Sequence, residues 1–269
     1  MASNPVFRRI DRDSSRGYAG FGGGDPATMS AQQLQDLYNR PSAGMVETGR
    51  VTVEDVIMKA TALFAVLGVG ALVGWYVIAR SPSAGAVVVL GSIVVTLGLG
   101  IAIAVMRTIS VPLIVIYAAG QGLVVGTVSR IYNELFNGIV LQAVLATLAT
   151  FLGMLVAYHV GLIRVTDKFR RFMSMALLGY LLFAVANFLY GWLGHHPFGF
   201  GGTGPLGIVI SVVAVGLAAA TLALDFDSVD RAVAAGAPAK YAWLLAHGFV
   251  VTLVWLYLEF LRLLGRMRS

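Results

Sequence analysis

The stretch VVTLVWLYLEFLRLL, Val250 to Leu264, decides the fold. It is apolar enough to lie in hydrocarbon, yet it carries Glu259. A second acid, Asp225, interrupts AAATLALDFD, Ala218 to Asp227. A charge at the centre of a bilayer costs about 2.5–3.5 kcal/mol even on lenient insertion scales. Acids kept there face a partner, a cavity or an ion path. The two stretches therefore read as neighbouring spans of a helical bundle, with Asp225 and Glu259 as an acid pair inside it.

Composition agrees with that class. Only 12% of the 269 residues are charged and 58% are hydrophobic, with a mean hydropathy of +0.83. Soluble domains carry about 25% charged residues. Apolar runs are long and do not alternate, which excludes a membrane β-barrel. Without cysteine, disulfides and thiolate metal sites are excluded. The net charge of +6 does not imply nucleic acid, because the basic residues gather at span ends and in the N-terminal segment. That pattern suits anionic membrane lipids and the bias of basic loops toward the cytoplasm.

Residues 1–51 read as a flexible cytoplasmic tail, rich in Gly, Ser, Arg and Asp and without apolar period. A short helix over Ser30 to Tyr38 is the only local structure expected there. The tail's GFGGG lacks the following Lys and helix start of a phosphate loop. The helical domain, 52–269, begins at a capping pattern with Thr52 as N-cap and Asp55 three residues on. Seven spans follow: about 56–79, 84–106, 111–128, 139–163, 172–193, 206–225 (continuing as helix toward 235) and a last one ending at Leu264. Each is near the twenty residues needed to cross about 30 Å of hydrocarbon.

Arg107, the basic loop of Arg164, Lys168, Arg170 and Arg171, and Arg231 with Lys240 favour a cytoplasmic N-terminus. Arg262, Arg266 and Arg268 oppose an odd number of spans, and six spans with one re-entrant segment would satisfy them. Seven adequate runs favour seven spans. Depth is the other tension. Two continuous antiparallel helices would set Asp225 and Glu259 about 12 Å apart in depth. If Lys240 to Ala246 lie along the membrane surface, with the span starting near Gly248, the depths match and the acids share one site. That second arrangement is the expectation.

Four passages resemble the Bax inhibitor family, also called the transmembrane Bax-inhibitor-motif family, in a bacterial member. YAAGQGLVVGTVS (Tyr117 to Ser129) is similar to its aromatic and glycine pattern. AVLATLATF matches its fourth-span core at Ala143, Thr147 and Phe151. LALDFDSV places a family aspartate on Asp225, and LYLEFLRLL places the second on Glu259. The resemblance covers about residues 52 to 265. It implies an all-α membrane protein, a seven-transmembrane-helix bundle with the last helix central. It further implies a pH-sensitive Ca2+ leak controlled by paired acids, with Arg107 able to latch onto them, and in bacteria a link to a membrane protease. Here Glu replaces the second Asp, and the insertion before the last span is longer than usual.

The physics of such a pair stands beside the resemblance. Two carboxylates in low dielectric share a proton rather than both ionise. With carbonyls and water, Asp225 and Glu259 would form a weak, transient Ca2+ site rather than a tight cage. The plainer alternative has Asp225 capping its helix and Glu259 paired with Arg262 or Arg266. Other residues point to less. His195 and His196 are a lone loop pair with little metal-binding character. Gly98, Gly100, Gly122 and Gly126 suggest close helix packing. Gln121, Asn133, Glu134 and Asn187 suit bonds between helices more than a path. Ser129, His159 and Asp167 lack a nucleophile motif, so no enzyme is expected and no cofactor. Two functional classes remain: a cation leak in the bacterial inner membrane, or a non-conducting regulator that binds a membrane protease or another membrane protein.

Overall fold

The computed structural model describes residues 49–106, 108–194 and 198–269. Seven helices are long and apolar enough to cross a membrane among them: α1 (Val53–Arg80), α2 (Pro82–Val105), α3 (Val111–Leu135), α4 (Ile139–His159), α5 (Asp167–Gly194), α6 (Pro205–Ala234) and α7 (Tyr241–Arg268). α1 starts as its sequence requires. The Thr52 hydroxyl accepts from the Asp55 amide at 3.1 Å, and Glu54 and Asp55 sit in the first turn, where they complement the helix dipole. α3 runs seven residues, about two turns, beyond its apolar run. Arg130 and Glu134 pair at 2.7 Å across one turn, so the polar stretch before Leu135 stays helical.

α7 is the central element. It packs against α1, α3, α4 and α6, and its Ala246, Val250, Leu256 and Leu261 are fully buried. The other helices turn large apolar side chains outward, Leu72, Val94, Leu152 and Leu182 among them, as a lipid-facing surface does. Among the described residues α2 packs only on α1 and α3, and the backbone of α5 packs only on α6.

The tightest seam is α1 on α3. Gly70 and Gly74 face Gly122 and Gly126. A Cβ on Gly126 would strike the Ala71 backbone, and one on Gly122 the Leu67 carbonyl. Small residues four apart let backbones approach where lipid offers no hydrophobic drive to associate. The expected packing role thus holds for Gly122 and Gly126. Gly98 faces open space, and a Cβ on Gly100 would make only ordinary contact with Tyr117.

Two boundaries differ from the sequence reading. Lys240 to Ala246 do not lie along the surface as a separate segment: helix runs from Tyr241 without a break. Ala242 and Ala246 are fully buried, so these turns belong to the bundle. Residues 49–51, grouped with the tail by composition, pair with the α6–α7 turn. The Val51 amide donates to the Ala237 carbonyl at 2.8 Å, and Arg50 bridges to Pro238. The expected helix over Ser30 to Tyr38 lies outside the described residues.

Candidate functional site

The antiparallel register of α6 and α7 fixes where the two acids lie. A Cβ on Gly248 would be 3.7 Å from Asp225 Oδ1, the rings of Phe226 and Phe249 lie 5.6 Å apart, and Arg266 Nη1 donates to Ser211 Oγ at 3.1 Å. In this register Glu259 is level with Gly216. That is nine residues from Asp225, or about 14 Å along the axis. No hydrogen bond or ion pair joins the two carboxylates among the described residues. The unbroken start of α7 is the reason, because the depths would match only if its first turns left the bundle.

Asp225 lies in the half of the bundle that holds the start of α7. It does not cap its helix, since α6 continues nine residues to Ala234. Its carboxyl faces Gly248, whose missing side chain makes room for it, and the Thr252 hydroxyl on α7. Oδ2 is buried without a partner. An unsatisfied buried carboxyl oxygen is expensive and calls for a proton, a water or a cation. A second orphan, His247 Nδ1, is buried one residue before Gly248. The His247 ring stands edge-on to Tyr117 at 4.5 Å, and the Tyr117 hydroxyl accepts from Gln121 at 2.8 Å. Nothing in the sequence singled out His247, because one histidine in an apolar run has no spacing signal.

Glu259 is the opposite case: 3% exposed and fully engaged. Arg262 Nη1 donates to Oε1 at 2.8 Å and Oε2 at 3.1 Å. The Tyr180 hydroxyl of α5 donates to Oε1, and Trp255 Nε1 reaches it at 3.3 Å. The pairing with Arg262 is the plainer alternative that the sequence allowed for this residue. A turn further on, Arg266 is 2% exposed. Its guanidinium donates to the carbonyls of Gly207, Phe198 (2.6 Å) and Phe200 (3.4 Å) and to Ser211. It straps the α5–α6 loop across this end of the bundle. The loop complies through left-handed glycines, Gly199 at φ 68° and Gly201 at φ 78°.

The remaining sequence candidates separate cleanly. Arg107, His195 and His196 lie outside the described residues. The neighbours of Arg107, Met106 and Thr108, line a small cavity of about 30 Å³ with Ile114 and Leu244, at the same end of α7 as Gly248. Asn133 accepts from the Gly138 amide at 3.3 Å and Asn187 from the Phe200 amide at 2.7 Å, so both tie loops to helices. Ser129 shares a hydrogen bond of 2.6 Å with Tyr257, whereas His159 ends α4 on the far side of the bundle, so no triad forms. No cluster of three His, Asp or Glu side chains suited to a metal occurs among the described residues.

No match is found among curated proteins. A family model described as Bax inhibitor 1 like matches residues 4–269, and with seven membrane-length helices among its described residues the chain belongs to that family.

Proposed function

We propose that the protein is a pH-sensitive Ca2+ leak pathway in a bacterial inner membrane, with its N-terminus in the cytoplasm. In this reading Asp225 is the titrating group and Glu259 is a fixed latch. One observation carries the division of roles: Asp225 keeps a buried oxygen with no partner, whereas Glu259 has three. A carboxylate already paired with a guanidinium has little to gain from a cation. One with an unpartnered buried oxygen has a vacant acceptor to fill. Arg107 is the proposed counter-charge to Asp225.

The same contacts support this orientation. Arg262 is spent on Glu259, and Arg266 is spent on carbonyls inside the bundle. Neither counts as a free loop charge, so the C-terminal arginines oppose an inward N-terminus much less than their number suggests. Ca2+ would meet one carboxylate at a time along this path. That suits a weak transient site, since tight Ca2+ binding takes six to eight oxygens.

The test is Ca2+ flux into liposomes holding the purified protein, across about pH 5 to 8, where a buried carboxylate titrates. Flux that changes with pH supports the reading. No flux above empty liposomes at any pH would leave the non-conducting regulator, bound to a membrane protease or other membrane protein, as the better account.

A further inference from the structure

The end of α5 carries a charge imbalance that the leak reading does not use. Arg164, Lys168, Arg170 and Arg171 lie in and beside its first turns, with Arg231 nearby on α6, against Asp167, Asp227 and Asp230. Asp227 Oδ2 takes both Arg170 at 2.7 Å and Arg231 at 2.9 Å, and Asp230 accepts the Tyr158 hydroxyl at 2.7 Å. Arg164, Lys168 and Arg171 are exposed and form no ion pair among the described residues.

These charges border a shallow, largely open hollow on one face of α5, lined by Asp167, Arg170, Arg171, Ser174 and Met175. The same face continues as an apolar strip: Met175 is 67% exposed, Leu178 59% and Leu182 66%. Recess and strip meet where polar surface gives way to lipid-facing surface. Among the described residues the backbone of α5 packs only on α6, and no other described helix covers the strip.

We propose that this recess binds the headgroup of an anionic glycerophospholipid that offers hydroxyl donors, with its acyl chains along Met175, Leu178 and Leu182. Guanidinium groups match phosphate oxygens in paired hydrogen bonds, which assigns the phosphodiester to Arg171 and the outer edge of Arg170. Asp167 would repel a bare phosphate, but with Ser174 it accepts from headgroup hydroxyls. The ligand is thus a phosphatidylglycerol-like lipid rather than free phosphate or a zwitterionic lipid. Because Arg170 also holds Asp227, two residues after Asp225, a bound lipid steadies α5 against α6 beside the proposed titrating group.

The test places a tryptophan reporter at exposed Phe172 in the full chain and measures its quenching by acyl-brominated phosphatidylglycerol and phosphatidylcholine, after subtraction of the chain without the reporter. The expected result is a preference of about fivefold for phosphatidylglycerol, near the worth of one basic residue at a charged membrane surface. Arg171→Glu removes the preference, and Arg171→Lys keeps part of it. Arg171→Gln replaces the first variant if it does not fold. Equal quenching by the two lipids, or a preference kept in Arg171→Glu or Arg171→Gln, would overturn the proposal. So would loss of the preference on adding inorganic phosphate at constant ionic strength, which would make this a free-anion site.

Discussion

Arg262 closes on Glu259 from one turn away on α7, with Nη1 at 2.8 Å from Oε1 and 3.1 Å from Oε2. The carboxylate end of this pair is almost fully buried and the guanidinium is partly exposed. Removing one member of a buried ion pair leaves an uncompensated charge and costs about 3–5 kcal/mol. We expect Arg262→Ala to fall at the low end, because surrounding polar groups reach its side of the pair. Glu259→Gln with Arg262→Gln should recover most of that loss. Detergent-titration unfolding of the three proteins checks this. Equal stability of Arg262→Ala and the parent would remove the latch.

The register of α6 on α7 gives a second expectation. The chain has no cysteine, so introduced pairs report without background. Asp225→Cys with Gly248→Cys should form a disulfide under mild oxidation, whereas Asp225→Cys with Glu259→Cys should not. Efficient cross-linking of the second pair would bring the acids back to one shared site.

Packing on the α1–α3 seam should be unforgiving. Gly126→Ala pushes a methyl into the Ala71 backbone, which cannot yield as a side-chain tip can. Overpacking of this kind costs about 1–3 kcal/mol. Gly98→Ala meets open space and should be silent. Thermal unfolding in detergent separates the two, and similar loss in both would argue against the seam.

The strap from Arg266 predicts a local effect. Arg266→Ala strips donors from the carbonyls of Gly207 and Phe198, at about 1–3 kcal/mol for each group left unsatisfied in the interior. Residues 198–204 should then be cleaved faster by protease while the helices stay intact. Unchanged cleavage would show that Arg266 does not hold the loop.

Much of this was legible in the chain. Spans show in sequence because twenty apolar residues between polar ends have few other uses, and the Thr52 cap was readable from Asp55 three residues on. The acids themselves stood out as charges in apolar sequence. Their relation did not, because depth depends on where α7 begins. The interfacial look of Lys240, Tyr241 and Trp243 suggested a surface segment, whereas Ala242 and Ala246 pack inside the bundle. The Gly70–Gly74 half of the α1–α3 seam carries the same four-residue spacing as Gly122–Gly126 and was readable in principle. Arg266 was not: a C-terminal arginine looks like a headgroup contact until a loop from elsewhere wraps its carbonyls around it. Asn187 shows the same limit, since its partner lies across that loop.

The central claim is that Asp225, and not a shared Asp225–Glu259 pair, sets the response to pH. Ca2+ flux of Asp225→Asn in liposomes, compared with the parent across about pH 5 to 8, tests it most directly. The account predicts a parent flux that varies with pH and an Asp225→Asn flux that does not, with the variant still fully helical. An Asp225→Asn protein that keeps the parent's pH profile, or a parent with no flux above empty liposomes, would contradict it.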